Sequence, residues 1–72
     1  MAIERKPIRR GGIKSAGYDR ASRVLEIEFD SGSIIQHTAV GEEIARRFIS
    51  ASSPASVYKD TIQDEFTIRR VK

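Results

Sequence analysis

His37 is the one histidine in the chain, and it lies in SIIQHTAV, residues 33–40, a stretch that otherwise reads as a buried strand. A lone imidazole can stack on a base, respond to pH near neutrality or ligate a metal. Ligation needs partners, and the chain has no cysteine and no carboxylate at ligand spacing to His37. The favoured reading is a partly buried strand residue that fills an aromatic position and hydrogen-bonds to a neighbour. Glu26 and Glu28 stand two apart and would share one strand face, as paired acid–base carboxylates can. Their alternation with Leu25, Ile27 and Phe29 assigns them instead the task of keeping that face wet. None of the eight serines lies in Gly-x-Ser-x-Gly or Ser-x-x-Lys, the settings that activate a serine nucleophile. The RRGG at residues 9–12 lacks the spacing and the Lys-Ser/Thr ending of a phosphate loop. A thin core leaves little room for a pocket of ~300 Å³ or more. These residues predict a non-enzyme with no cofactor, no metal and no small-molecule substrate.

The cations tell more. Residues 1–14 hold five against one acid, and residues 66–72 hold three against none, giving +4 and +3. Residues 15–65 carry nine acids against five cations, so the body is mildly acidic although the chain is +3 overall. Arg46 and Arg47 have Glu42 and Glu43 one helical turn before them, which suits i,i+4 pairing. Arg9, Arg10, Lys14, Arg69 and Arg70 have no such neighbours. If the first and last strands lie close together, they form one positive patch that holds phosphates without sequence preference. The alternative is solvated ends that keep a small protein in solution. Tyr18, beside a turn, is the aromatic placed to meet a base, although core packing suits it equally well.

The elements that must position these residues follow from periodicity. Residues 1–12, with Pro7 and the Gly11–Gly12 pair, read as a flexible basic arm whose last residues can enter a strand. They lack the apolar stretch of a secretory signal. IKSAGYD (13–19) reads as a strand, with Gly17 marking a bulge or a close backbone approach. RVLEIEF (23–29) alternates as a half-buried strand. DSG then turns the chain into SIIQHTAV. A two-residue Ser-Gly loop would pair Asp30 with Ser33 and turn Ile35 and His37 away from Leu25 and Ile27. A three-residue loop with Gly32 left-handed would pair Phe29 with Ser33 and bring them to the same face. The second register is favoured, because it puts glycine where φ is positive and buries Ile35. GEEIARRFISA (41–51) reads as a helix with Ile44, Phe48 and Ala51 facing inward. Ser53 and Pro54 start a short second helix, and Val57, Tyr58, Thr61 and Ile62 give it a face. EFTIRRV (65–71) alternates and can close the sheet.

One family fits this order. Gly17, Tyr18, Asp19, Leu25, Ile27, Phe29, Gly32, Val40, Ala51, Ser53, Tyr58 and Ile62 match in sequence the pattern of the KTSC domain, which the chain resembles over about residues 13–66. That small domain is named for its place at the C-terminus of some lysyl-tRNA synthetases and also occurs alone in bacteria. RNA binding has been suggested for it from that place. Ile35 and His37 occupy the family's Tyr-x-Tyr positions, Gly41 replaces a usual proline, and Ala55 replaces a glycine. Loss of both tyrosines weakens an RNA reading that rests on aromatic stacking at that site.

The expectation is thus an α+β domain over residues 13–72, preceded by the arm at 1–12. A small antiparallel sheet of three strands, four if 65–71 joins, carries one helix and a short second one on its apolar face. Leu25, Ile27, Phe29, Ile35, Ile44, Phe48, Val57, Tyr58 and Ile62 form most of the core. The expected function is a non-catalytic binding module, for RNA through backbone phosphates, with Arg9, Arg10, Lys14, Arg69 and Arg70 in contact. Tyr18, Ile35 and His37 are further surface or motif positions. The alternative is a protein-interaction module that engages a partner or itself through an edge strand or groove. No apolar run approaches the ~20 residues of a membrane span, and a soluble cytoplasmic protein is expected.

Overall fold

A computed structural model of the protein describes residues 3–62 and 68–71. Five strands run β1 (Lys6–Arg10), β2 (Ile13–Asp19), β3 (Val24–Phe29), β4 (Ile34–His37) and β5 (Ile68–Arg70). They form one antiparallel sheet in chain order. Between β4 and β5 come α1 (Glu42–Ser50), α2 (Pro54–Val57) and a π-helical turn (Tyr58–Ile62). The sheet therefore has five strands, not three or four. The additional strand, KPIRR, comes from the segment read as an arm. It shows no alternating apolar pattern, and it is an edge strand, where proline is tolerated because one side needs no ladder hydrogen bond.

The turn at Gly32 has the three-residue form. Phe29 N–H donates to the Ser33 carbonyl at 2.9 Å, Gly32 N–H to the Phe29 carbonyl at 2.9 Å, and Gly32 has φ +95°. Leu25 then pairs with His37 and Ile27 with Ile35, so all four side chains share one face. The helices cover that face. Ile13, Ala16, Leu25, Ile27, Ile35, Val40, Ala45, Phe48 and Ile62 are buried together, and Phe29, Ile44, Val57 and Tyr58 pack half-buried against them. At ~25 cal/mol per Å² of apolar surface removed from water, each fully buried Leu, Ile or Phe contributes roughly 1.5–3 kcal/mol, which is the main term holding the layers together.

Gly17 marks a close approach, not a bulge. A Cβ there would stand 2.1 Å from the Glu4 carbonyl oxygen, so only glycine lets the chain entering β1 lie against β2. The bulge falls three residues earlier. Ile13 pairs with Phe29 and Ser15 with Glu28, leaving Lys14 as the extra residue. Without it, Ile13 and Ser15 would lie on one face. With it, Ile13 enters the core while Ser15 faces the other side.

α1 starts at Gly41, whose carbonyl accepts from Ala45 N–H at 3.1 Å, and Glu42 and Glu43 sit where the helix dipole favours acids. Of the two expected pairs, Glu42–Arg46 forms at 3.9 Å, and Glu42 also meets Arg20 at 3.4 Å. Ser53 is the N-cap residue of α2 with Pro54 at its start, but its hydroxyl bonds to that of Ser56 at 3.0 Å and caps no backbone N–H. The part of the expected last strand at residues 65–67 lies outside the described residues.

Candidate functional site

Pairing across the sheet assigns every side chain a face. On the outer face, opposite the helices, Gly17, Glu26, Gln36 and Arg69 form one row, and Pro7, Ser15, Glu28 and Ile34 the next. Glu26 was expected to keep this face wet, yet it is only 7% exposed. Long neighbours fold over it. Arg5 Nη1 donates to its Oε2 at 3.0 Å, and Gln36 Nε2 donates to its Oε1 at 2.9 Å. Arg5 also reaches Glu28 at 3.9 Å, and the Ser15 hydroxyl donates to Glu28 at 2.9 Å. A carboxylate taken from water needs such partners, and each charge-assisted hydrogen bond contributes on the order of 1.5–3 kcal/mol. Sequence reading missed this network because Arg5 and Glu26 meet only once β1 has paired. The signal available was a glutamate at the centre of a strand that has neighbours on both sides.

The five candidate cations do not form one patch. β1 and β5 are opposite edges of the sheet, so Arg9, Arg10 and Lys14 stand on one side and Arg69 and Arg70 on the other. Strands lie ~4.8 Å apart, so three intervening strands put roughly 19 Å between the edges. All five are exposed, and among the described residues none makes an ion pair. Arg10 donates to the Ala51 carbonyl at 3.3 Å, and Arg70 to the Ser33 hydroxyl at 3.4 Å.

Two register breaks meet at the β1–β2 hairpin. One is the Lys14 bulge. The other lies between Pro7 and Arg10, where Arg9 takes φ +52°. A left-handed non-glycine residue costs about 1 kcal/mol or more and persists only where its surroundings enforce it. Arg9 and Lys14 line an outer-face depression of about 330 Å³ together with Ile3, Arg5, Pro7, Ser15 and Glu28. A second depression, about 290 Å³, runs between β1, β2 and α1 and includes Ala16, Tyr18, Ala45 and Ile49. Both are open surface depressions, not cavities within the core. The short helical layer leaves the β1 edge partly uncovered.

Ile35 and His37 are not surface positions. The Gly32 register turns both inward, and they are 7% and 0% exposed. His37 Nε2 lies 3.1 Å from the Tyr58 hydroxyl, and the two rings meet edge to face at 5.4 Å. Tyr58 also contacts the rings of Phe29 and Phe48, so His37 belongs to an aromatic cluster within the core. Tyr18 is half-buried, and its hydroxyl donates to the Val40 carbonyl, which ties β2 to the chain entering α1. Its neighbour Asp19 closes the β2–β3 turn. The Asp19 carboxylate accepts from the Ser22 hydroxyl at 2.7 Å and from Ala21 N–H at 3.1 Å. The Ser22 hydroxyl, more than the backbone donors, holds the Asp19 carboxyl below its ordinary 3.8.

Among the described residues, no three His, Asp or Glu side chains converge to hold a metal ion, and no helix is long and apolar enough to cross a membrane. The KTSC domain matches residues 11–66 of the sequence, well over half of the chain. The chain belongs to the KTSC domain family. It is similar to an uncharacterised protein of Stutzerimonas stutzeri strain A1501, 31% identical over 51 residues that cover 71% of this chain and 72% of that one. It is also similar to the crystal structure of a KTSC domain protein from Yersinia pestis, 32% identical, with a TM-score of 0.92 over 99% of this chain and 100% of the other.

Proposed function

We propose that this KTSC domain is a non-catalytic module that binds RNA through backbone phosphates, with the β1–β2 hairpin as its main contact. The observation that carries this reading is the set Arg9, Arg10 and Lys14, three exposed cations on one hairpin that no acid neutralises among the described residues. Arg69 and Arg70 form a separate, weaker contact on the far edge. Phosphates bound to such cations release condensed counterions, so affinity falls as salt rises. With all five engaged on a single strand, the log–log slope against salt is about −3.5, at ~0.7 per contact. Arg9→Ala/Arg10→Ala/Lys14→Ala shallows that slope by about 2. Fluorescence anisotropy with tRNA at about 50 and 200 mM salt reads both. No binding at the lower salt overturns the proposal.

A second reading rests on β5. This edge strand presents Ile68 at 56% exposure and is followed by Val71 at 52%, and an exposed edge with apolar side chains invites a further strand. In that reading the domain pairs with itself or a partner through β5. Light scattering across a concentration series checks self-pairing, and a monomer throughout removes it.

A further inference from the structure

We propose that the outer-face depression beside β1 is a subsite for one nucleotide of the bound RNA, with its phosphate held between Arg9 and Lys14. This rests on the RNA reading and assigns it a place. Both backbone irregularities of the β1–β2 hairpin serve this spot. The Lys14 bulge frees Lys14 from the core-facing alternation while Ile13 takes the buried position. The register break on β1 leaves Arg9 left-handed, and Arg9 lines the same depression. Two strained or inserted residues in adjacent strands, both cationic and both on one depression, mark a place built for an anion.

The rest of the lining fits a nucleotide better than a bare anion. Ile3 and Pro7 supply an apolar wall for a sugar or a ring face. Ser15 and Glu28 pair across β2 and β3 one step in from the hairpin end, and Glu28 already accepts from Ser15 at 2.9 Å. A carboxylate there repels the phosphate toward Arg9 and Lys14. It also offers an acceptor to a ribose hydroxyl or an exocyclic amine. Arg5 does not compete for the phosphate, because Glu26 and Glu28 hold it at 3.0 and 3.9 Å. About 330 Å³ lies at the small end of the ~300–1,000 Å³ of ligand sites, which suits one residue of a strand that continues over the surface.

An NMR titration of the full chain with adenosine 5′-monophosphate, and separately with inorganic phosphate, tests the subsite beside the tRNA measurement. Expected are saturable amide shifts at Arg9, Lys14, Ser15 and Glu28 with the nucleotide, and shifts at Arg9 and Lys14 alone with phosphate. Lys14→Ala abolishes both responses, whereas Arg69→Ala/Arg70→Ala leaves them intact. Because Arg9→Ala also changes a strained backbone position, Arg9→Gly serves as the second variant: it keeps the left-handed fold and must lose the phosphate response. Absent nucleotide shifts with tRNA binding intact overturn the subsite and spare the RNA reading. Nucleotide shifts without tRNA binding keep the subsite and overturn that reading. Equal responses to phosphate and nucleotide overturn the nucleotide assignment.

Discussion

The two faces of the sheet solve the same burial problem with different chemistry. β3 runs through the middle of both. Toward the helices it sends Leu25 and Ile27, each fully buried, into an apolar layer. Toward the other side it sends Glu26, nearly as buried, into Arg5 and Gln36. Among the described residues, no second helical layer covers that face. The cover is made by the stems of long side chains, which lie over the sheet while their heads pair. The lesson is that alternation along a central strand reports what kind of partner each face takes. It does not report which face is wet.

Substitutions at adjacent positions of β3 probe this contrast. Leu25→Ala opens a cavity in a packed layer and costs about 2–5 kcal/mol, enough to unfold much of a domain this small. Glu26→Ala costs about 1–3 kcal/mol, because the stranded Arg5 can turn back to water. Urea midpoints at constant slope read both values, and equal losses would erase the distinction between the faces. A cycle with Arg5→Ala sharpens it: the double variant loses less than the sum of the single ones, since neither leaves a partner behind.

The smallest effect belongs to Asp19. Its folded value lies below 3.8, so the stability it contributes is present above that pH and is lost as the pH falls through the folded value. Asp19→Asn therefore flattens the acid limb of a stability–pH curve and leaves the neutral region in place. An unchanged acid limb would show that the Ser22 and Ala21 hydrogen bonds do not favour the ionised carboxylate.

Much of the helix-side face was legible in residues 13–62. The register at Gly32 and the inward turn of Ile35 and His37 follow from the alternation of β3 plus one glycine. Ile13 and Ala16 escaped the expected core because the Lys14 bulge changes the parity of β2, and a bulge leaves no mark on side-chain type. β1 escaped because KPIRR is bound to the sheet by backbone pairing and by Arg5, not by an apolar stripe. The cations were legible as residues, but their division between two edges was not. Strand order is set by which strands pair, and the charges took no part in that choice.

β5 has a consequence for how the sheet assembles. β1 to β4 are joined by tight turns, whereas residues 38–67 separate β4 from β5. Closing a loop of that length costs about 2 kcal/mol more than closing a hairpin turn, before any contact offsets it. The four-stranded meander can thus nucleate from near neighbours, and β5 docks once the helical segment has folded back. Hydrogen exchange is expected to reach its amides ahead of those in β3, which makes this strand the zip end of the domain.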